Sequence, residues 1–297
     1  MRRALLLVPV LVVASAAQAD PPIDDTLAGY ALALAERPHD TALLRERAEL
    51  LLMSGQPAQA LDDLRLALAL APEDSSSLVL QGRALEALGQ PDEALAILDR
   101  AVAIAPSSFA ARRARADLRA VSGDRRGAIE DLDAALALAD DVDAFLDRGR
   151  WLVREGRAAE AAQGLDEALA RTHDAAPLVL AAVDAHVAAG EAHVALGIVD
   201  AAVRRAPTDP RLALLRGDVL ARLGRTPDAA AAWQSALLAI DARLARRRTV
   251  ALLVDRGEAL VRLGRGDEAR AALDEASLAA PRYPRVLALA AHLRGAL

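Results

Sequence analysis

The sequence predicts an all-α chain of seven tandem helical hairpins, and three observations carry that prediction. A glycine recurs at Gly55, Gly89, Gly123, Gly156, Gly190, Gly224 and Gly264, at intervals of 34, 34, 33, 34, 34 and 40 residues. Two alanine columns keep step with it, five and twelve positions later, in every unit. The composition agrees: alanine and leucine dominate the 297 residues and aromatics are only 2%, a mix that favours helix over strand.

Taken in chain order, residues 1–19 read as a signal peptide. Arg2 and Arg3 form a basic start, Ala4 to Ala14 an apolar stretch, and Ala17-Gln18-Ala19 a small-x-small cleavage site, so the mature chain would begin at Asp20. The apolar stretch falls short of the roughly twenty residues of a spanning helix, and Pro9 interrupts it. The expected location is therefore outside the inner membrane, most simply the periplasm, with no membrane span after cleavage. An uncleaved signal that anchors the chain is the alternative. The chain has no cysteine, which excludes disulfides, thiolate metal sites, a cysteine nucleophile and a lipid attached behind the signal.

Residues 20–40 have the frame of the second half of a unit, with Tyr30, Ala33 and Pro38 in step, and are expected to form an N-terminal capping half-repeat. The seven units then run 41–74, 75–108, 109–141, 142–175, 176–209, 210–249 and 250–283. In each, the glycine supplies the positive φ that turns one helix back on its partner. The alanines at Ala60, Ala94, Ala128, Ala161, Ala195, Ala229 and Ala269, and again at Ala67, Ala101, Ala135, Ala168, Ala202, Ala236 and Ala276, flank a larger apolar residue. That residue is Leu64, Leu98, Leu132, Leu165, Val199, Trp233 or Leu273. Spacings of four and three put all three on one helix face.

Seven positions before the glycine stands a small residue, as Ala48, Gly82, Ala116, Gly149, Gly217 and Gly257, with Val183 the exception; here the first helix must pack closely. Pro72, Pro106, Pro207 and Pro281 end four of the second helices, since proline cannot continue a helix interior. Residues 284–297 form one more amphipathic helix, a C-terminal cap over the last hairpin.

This period and these positions resemble the tetratricopeptide-repeat (TPR) family over nearly the whole mature chain. The resemblance implies a right-handed superhelical solenoid that binds partner proteins or peptides and is not an enzyme. It also implies that the first helix of each hairpin lines a concave groove. One groove column, six before each glycine, reads Glu49, Arg83, Asp117, Arg150, Asp184, Asp218 and Glu258. A second, four residues earlier, reads Arg45, Val79, Arg113, Leu146, Leu180, Leu214 and Val254. The groove candidates for partner binding are thus Arg45, Glu49, Arg83, Arg113, Asp117, Arg150, Asp184, Asp218 and Glu258. Two readings stay open: the arginines hold carboxylates of a bound segment, or the charges pair with one another and recognise nothing. Some family members grip a terminal carboxylate through lysine and asparagine, and this chain contains neither.

Other functional classes fare less well. A net charge of −6 gives no general field for a phosphate backbone, so nucleic acid is not an expected partner. Catalytic and phosphate-loop motifs do not occur, and no cofactor is expected. His186 and His193 flank Gly190, too few ligands for a metal even with Asp184 and Glu191 imagined beside them. The lengthened sixth unit carries Arg243, Arg246, Arg247 and Arg248, either a contact for an acidic surface or a solvated face. The leading expectation is an interaction scaffold or adaptor of the bacterial periplasm or envelope. An accessory subunit of an envelope enzyme or of a secretion or assembly complex is the second reading. A carbohydrate or small-ligand binder is the third, disfavoured by having only Trp151, Trp233, Tyr30, Tyr283, Phe109 and Phe145 for stacking.

Overall fold

The computed structural model describes residues 23–172 and 175–295, so the signal segment 1–19 lies outside the described residues. These residues form sixteen helices and no strand. Contacts divide the chain at Ala105 into two compact units. The first holds α1 (Ile23–Glu36), α2 (Thr41–Met53), α3 (Pro57–Leu70), α4 (Ser75–Ala87) and α5 (Pro91–Ile104). In it α2 pairs with α3 and α4 with α5, while α1 packs on α2.

The second unit holds five hairpins and a single helix. The hairpins are α6 (Phe109–Val121) with α7 (Arg125–Leu136), α8 (Val142–Arg154) with α9 (Ala158–Arg171), α10 (Ala176–Ala188) with α11 (Ala192–Arg205), α12 (Pro210–Arg222) with α13 (Thr226–Arg246), and α14 (Val250–Arg262) with α15 (Gly266–Ala279). The last helix, α16 (Pro284–Gly295), packs on α14 and α15.

Every hairpin turns in the same way. The seven periodic glycines have φ between 71° and 91°, a region closed to most side chains. In the first hairpin the Gly55 amide donates to the Leu52 carbonyl and the Gln56 amide to Leu51; the pattern repeats at all seven turns through Gln90, Asp124, Arg157, Glu191, Arg225 and Arg265. This double bond pattern closes the helix end and satisfies carbonyls that would otherwise be orphaned.

First helices begin with equal regularity. Asp40, Asp74, Ser108, Asp141, Asp209 and Thr249 each accept hydrogen bonds from first-turn amides through their side chains. All stand fifteen residues before their glycine, and only Ala175 breaks that column.

Packing explains the sequence columns. The alanines five after each glycine are fully buried, and the second alanine column is nearly so. A Cβ added to Gly82 would lie 2.6 Å from Leu98, one on Gly149 would lie 2.9 Å from Leu165, and one on Gly217 would overlap the Trp233 indole. The small residue before the turn therefore makes room for the large one after it, and two helix axes approach as closely as that pair allows. α13 runs to 21 residues where most second helices have 14. Asp241 replaces the terminating proline there, and Ile240 and Leu244 extend the buried face.

Candidate partner-binding groove

In the first unit Arg45 bridges to Asp74, 3.1 Å away at the start of α4, tying two successive first helices. Burial alone would push the Asp74 carboxyl up, but hydrogen bonds from the Ser77 hydroxyl, the Arg45 guanidinium and the Ser76 amide hold it below the usual carboxylate range. Glu49 and Arg83 are exposed, and neither forms an ion pair with a described residue. Val79 is buried in the core and offers nothing to a ligand.

The second unit carries an open groove along its first helices. Arg113 from α6, Asp143, Leu146, Asp147, Arg150, Val153 and Arg154 from α8, and Ala181 and Asp184 from α10 line an open groove of about 630 Å³. Leu146, Val153 and Ala181 form a partly exposed apolar floor. Arg113 bonds Asp117 at 3.2 Å and pairs with Asp147; desolvation opposes its charge, but these two carboxylates outweigh it and raise its pKa. Arg150 also pairs with Asp147 yet stays half exposed. The Trp151 ring lies 5.1 Å from the Arg150 guanidinium and 4.9 Å from that of Arg154, which braces both side chains by cation–π attraction.

Asp184 is exposed and forms no ion pair among the described residues. Its carboxyl pKa is pushed up by desolvation against the groove wall and by the charge of Asp218, with Arg222 opposing. Asp218 and Glu258 are consumed internally. Asp218 accepts from Arg262 at 2.7 and 2.9 Å and from the Trp233 indole at 2.9 Å. Glu258 accepts from Arg285 at 2.8 Å. Leu214 and Val254 are core residues.

Of the nine candidate residues, Glu49, Arg83 and Asp184 thus face solvent without an ion pair among the described residues, Arg150 faces solvent while paired with Asp147, and Arg45, Arg113, Asp117, Asp218 and Glu258 sit in ion pairs. Asp147, Val153 and Arg154 escaped the sequence reading because they lie outside the two columns. For Val153 and Arg154 a signal was present, seven and eight residues after Leu146 on one face of α8; Asp147, next to Leu146, carried none. His186 is buried, not a metal ligand in waiting: its ring nitrogens contact Glu191 at 2.8 Å and Asp166 at 3.1 Å. Of the basic residues Arg243, Arg246, Arg247 and Arg248, Arg248 is tied to Glu275 and Arg243 to the Thr208 carbonyl.

Tetratricopeptide-repeat family models match residues 51–118 and 180–245. The chain carries tetratricopeptide repeats. Solved structures share its architecture. A TPR protein from Parabacteroides merdae aligns with 84% of this chain and 96% of its own, at 18% identity and a TM-score of 0.55. Yeast Tom70 aligns with 92% of this chain and 58% of its own, at 14% identity and a TM-score of 0.59. YrrB, described as a TPR protein with an unusual peptide-binding site, aligns with 59% of this chain and 91% of its own, at 18% identity and a TM-score of 0.50. No curated protein matches the sequence. At these identities the structural likeness speaks to fold, and a TPR fold serves in general as a protein-interaction scaffold.

Proposed function

We propose that this TPR protein is a non-catalytic adaptor of the bacterial periplasm or envelope, which holds an extended or helical segment of a partner protein on the first helices of its second unit. The observation that carries this reading is the groove over α6, α8 and α10. It joins an apolar floor to two braced, exposed arginines, Arg150 and Arg154, and two exposed aspartates, Asp143 and Asp184. Such a surface matches a segment with apolar side chains flanked by carboxylates. The peptide site of YrrB, a protein of the same architecture, is consistent with it. The setting rests on the signal-like residues 1–19, and no described helix is long and apolar enough to cross a membrane.

The test is a crosslinking pull-down of the tagged full-length chain from its native envelope, with mass spectrometry of its N-terminus and of captured proteins. A mature start at Asp20 with one dominant partner is expected. Arg150→Glu with Arg154→Glu should then weaken that partner by about ten-fold, roughly 1.4 kcal/mol, with the melting temperature nearly unchanged because exposed charges add little to stability. Undiminished capture by the double variant overturns the groove, and an intact Met1 overturns the exported setting.

A further inference from the structure

The terminal helices α16 and α1 have the registers of opposite halves of one hairpin. Continuing the 34-residue interval from Gly264 puts the next turn one residue past Leu297, so α16 has the frame of a first helix. In the complete hairpins, the positions eleven, seven and four before the glycine face the hairpin's own second helix. At Gly82, Gly149 and Gly217 the middle one meets the large residue nine after the turn, Leu98, Leu165 and Trp233 in that order, whereas at Gly257 the nearest side chain is Leu289 of α16. The last reaches the start of the second helix, as Arg119 donates to the Gly127 carbonyl at 3.3 Å.

In α16 these positions are Leu287, Ala291 and Arg294, all exposed, Leu287 at 54%. The other face of α16 is already spent: Val286, Leu289 and Leu293 are buried, and Leu289 fills the space above Gly257. No helix follows α16 among the described residues.

α1 has the complementary frame. Thirty-four residues before Ala60, Leu64 and Ala67 stand Thr26, Tyr30 and Ala33. Their counterparts are fully buried by a first helix, but here all three are partly exposed and, with Asp25, Gly29 and Leu43, line an open cavity of about 350 Å³. The side chains correspond as well. Ala291 is small where Tyr30 is large, as Gly217 is small beside Trp233. Leu287 falls opposite Ala33. Arg294, four before the turn, falls beside the residue four after it, which in α1 is Asp25, preceded by Asp24.

We infer that copies of this chain associate end to end, α16 of one molecule and α1 of the next forming the first and second helices of a shared hairpin. The contact joins two different surfaces, so it is heterologous, and it propagates from chain to chain until a ring closes or a filament forms. It uses none of the groove residues, and its failure would leave the groove reading untouched.

The absence of native cysteines makes the test direct. Full-length chains carrying Leu287→Cys and, separately, Ala33→Cys are mixed and oxidised; the mixed disulfide should dominate over both homodimers. Sedimentation velocity of the unmodified chain should show species beyond a dimer as concentration rises. Leu287→Arg with Ala291→Arg, both at exposed sites, should raise the dissociation constant at least ten-fold without changing the circular dichroism. Arg294→Asp should weaken association, and Asp25→Arg in the same chain should restore it. A chain that stays monomeric at every concentration overturns the inference, as does a predominance of Leu287→Cys homodimers, which would mean that two α16 helices pair.

Discussion

Gly217 and Gly197 lie in adjacent helices, and alanine should act on them with opposite sign. Nothing lies within 4 Å of a Cβ built on Gly197, so Gly197→Ala should stabilise by about 0.5–1 kcal/mol through helix propensity alone. At Gly217 the same Cβ overlaps the Trp233 ring, whose indole nitrogen is held by Asp218. The ring is rigid and anchored, so overpacking of about 1–3 kcal/mol should exceed the propensity gain and leave Gly217→Ala destabilised. Urea midpoints of the two variants decide the matter. Asp74 adds a pH dependence at the same scale. Its folded pKa is depressed, so its stabilisation is present above the ordinary carboxylate value of 3.8 and is lost as pH falls through the lower folded value. Asp74→Ala should cost about 1 kcal/mol at neutral pH as a lost cap. The deficit should shrink in acid below about pH 4, as thermal melts over that range will show.

Among the elements, α16 depends on one charged contact more than its length suggests. Arg285 donates to Asp255 at 2.7 Å and to Glu258 at 2.8 Å, and Asp255 is only 4% exposed. Arg285→Met leaves that carboxylate buried without its partner. The expected loss is at the low end of about 3–5 kcal/mol, because Arg285 itself is partly solvated. Hydrogen exchange should locate the loss in α14 and α16, and adding Asp255→Leu should recover much of it. A similar economy holds in the hairpins. Arg47 bonds the buried Asp63 at 2.7 and 2.5 Å, and Arg115 bonds Asp131 at 2.8 and 2.6 Å. These arginines stand eight before the glycine, in a column that also holds Arg148, Arg216 and Arg256. That column and the capping column fifteen before the glycine were legible in the sequence and went unread. Their residue types look like ordinary surface polarity until the partner helix is placed beside them.

At the scale of the molecule, end-to-end association is the consequence that neither a single residue nor a single helix discloses. It appears only when the registers of α1 and α16 are set against the complete hairpins. The sequence alone determined the repeat, its length, the turn glycines and the small positions where the first helix packs closely. Each of these follows from local constraint: a positive φ admits little but glycine, and a helix face repeats at three and four residues whatever surrounds it. Which side chain fills each small position was left to packing, Leu98 at Gly82 but Leu289 of α16 at Gly257. The tertiary structure decided which charges are free. Arg83 occupies the same column as Asp218 and Glu258, yet Arg262 and Arg285 neutralise those two from other turns of the chain, and Asp147 pairs Arg150 within its own helix. Arg262 lies 44 residues from Asp218. Whether a side chain is a binding group or half of an ion pair depends on such neighbours, brought near by packing and not by spacing along the helix.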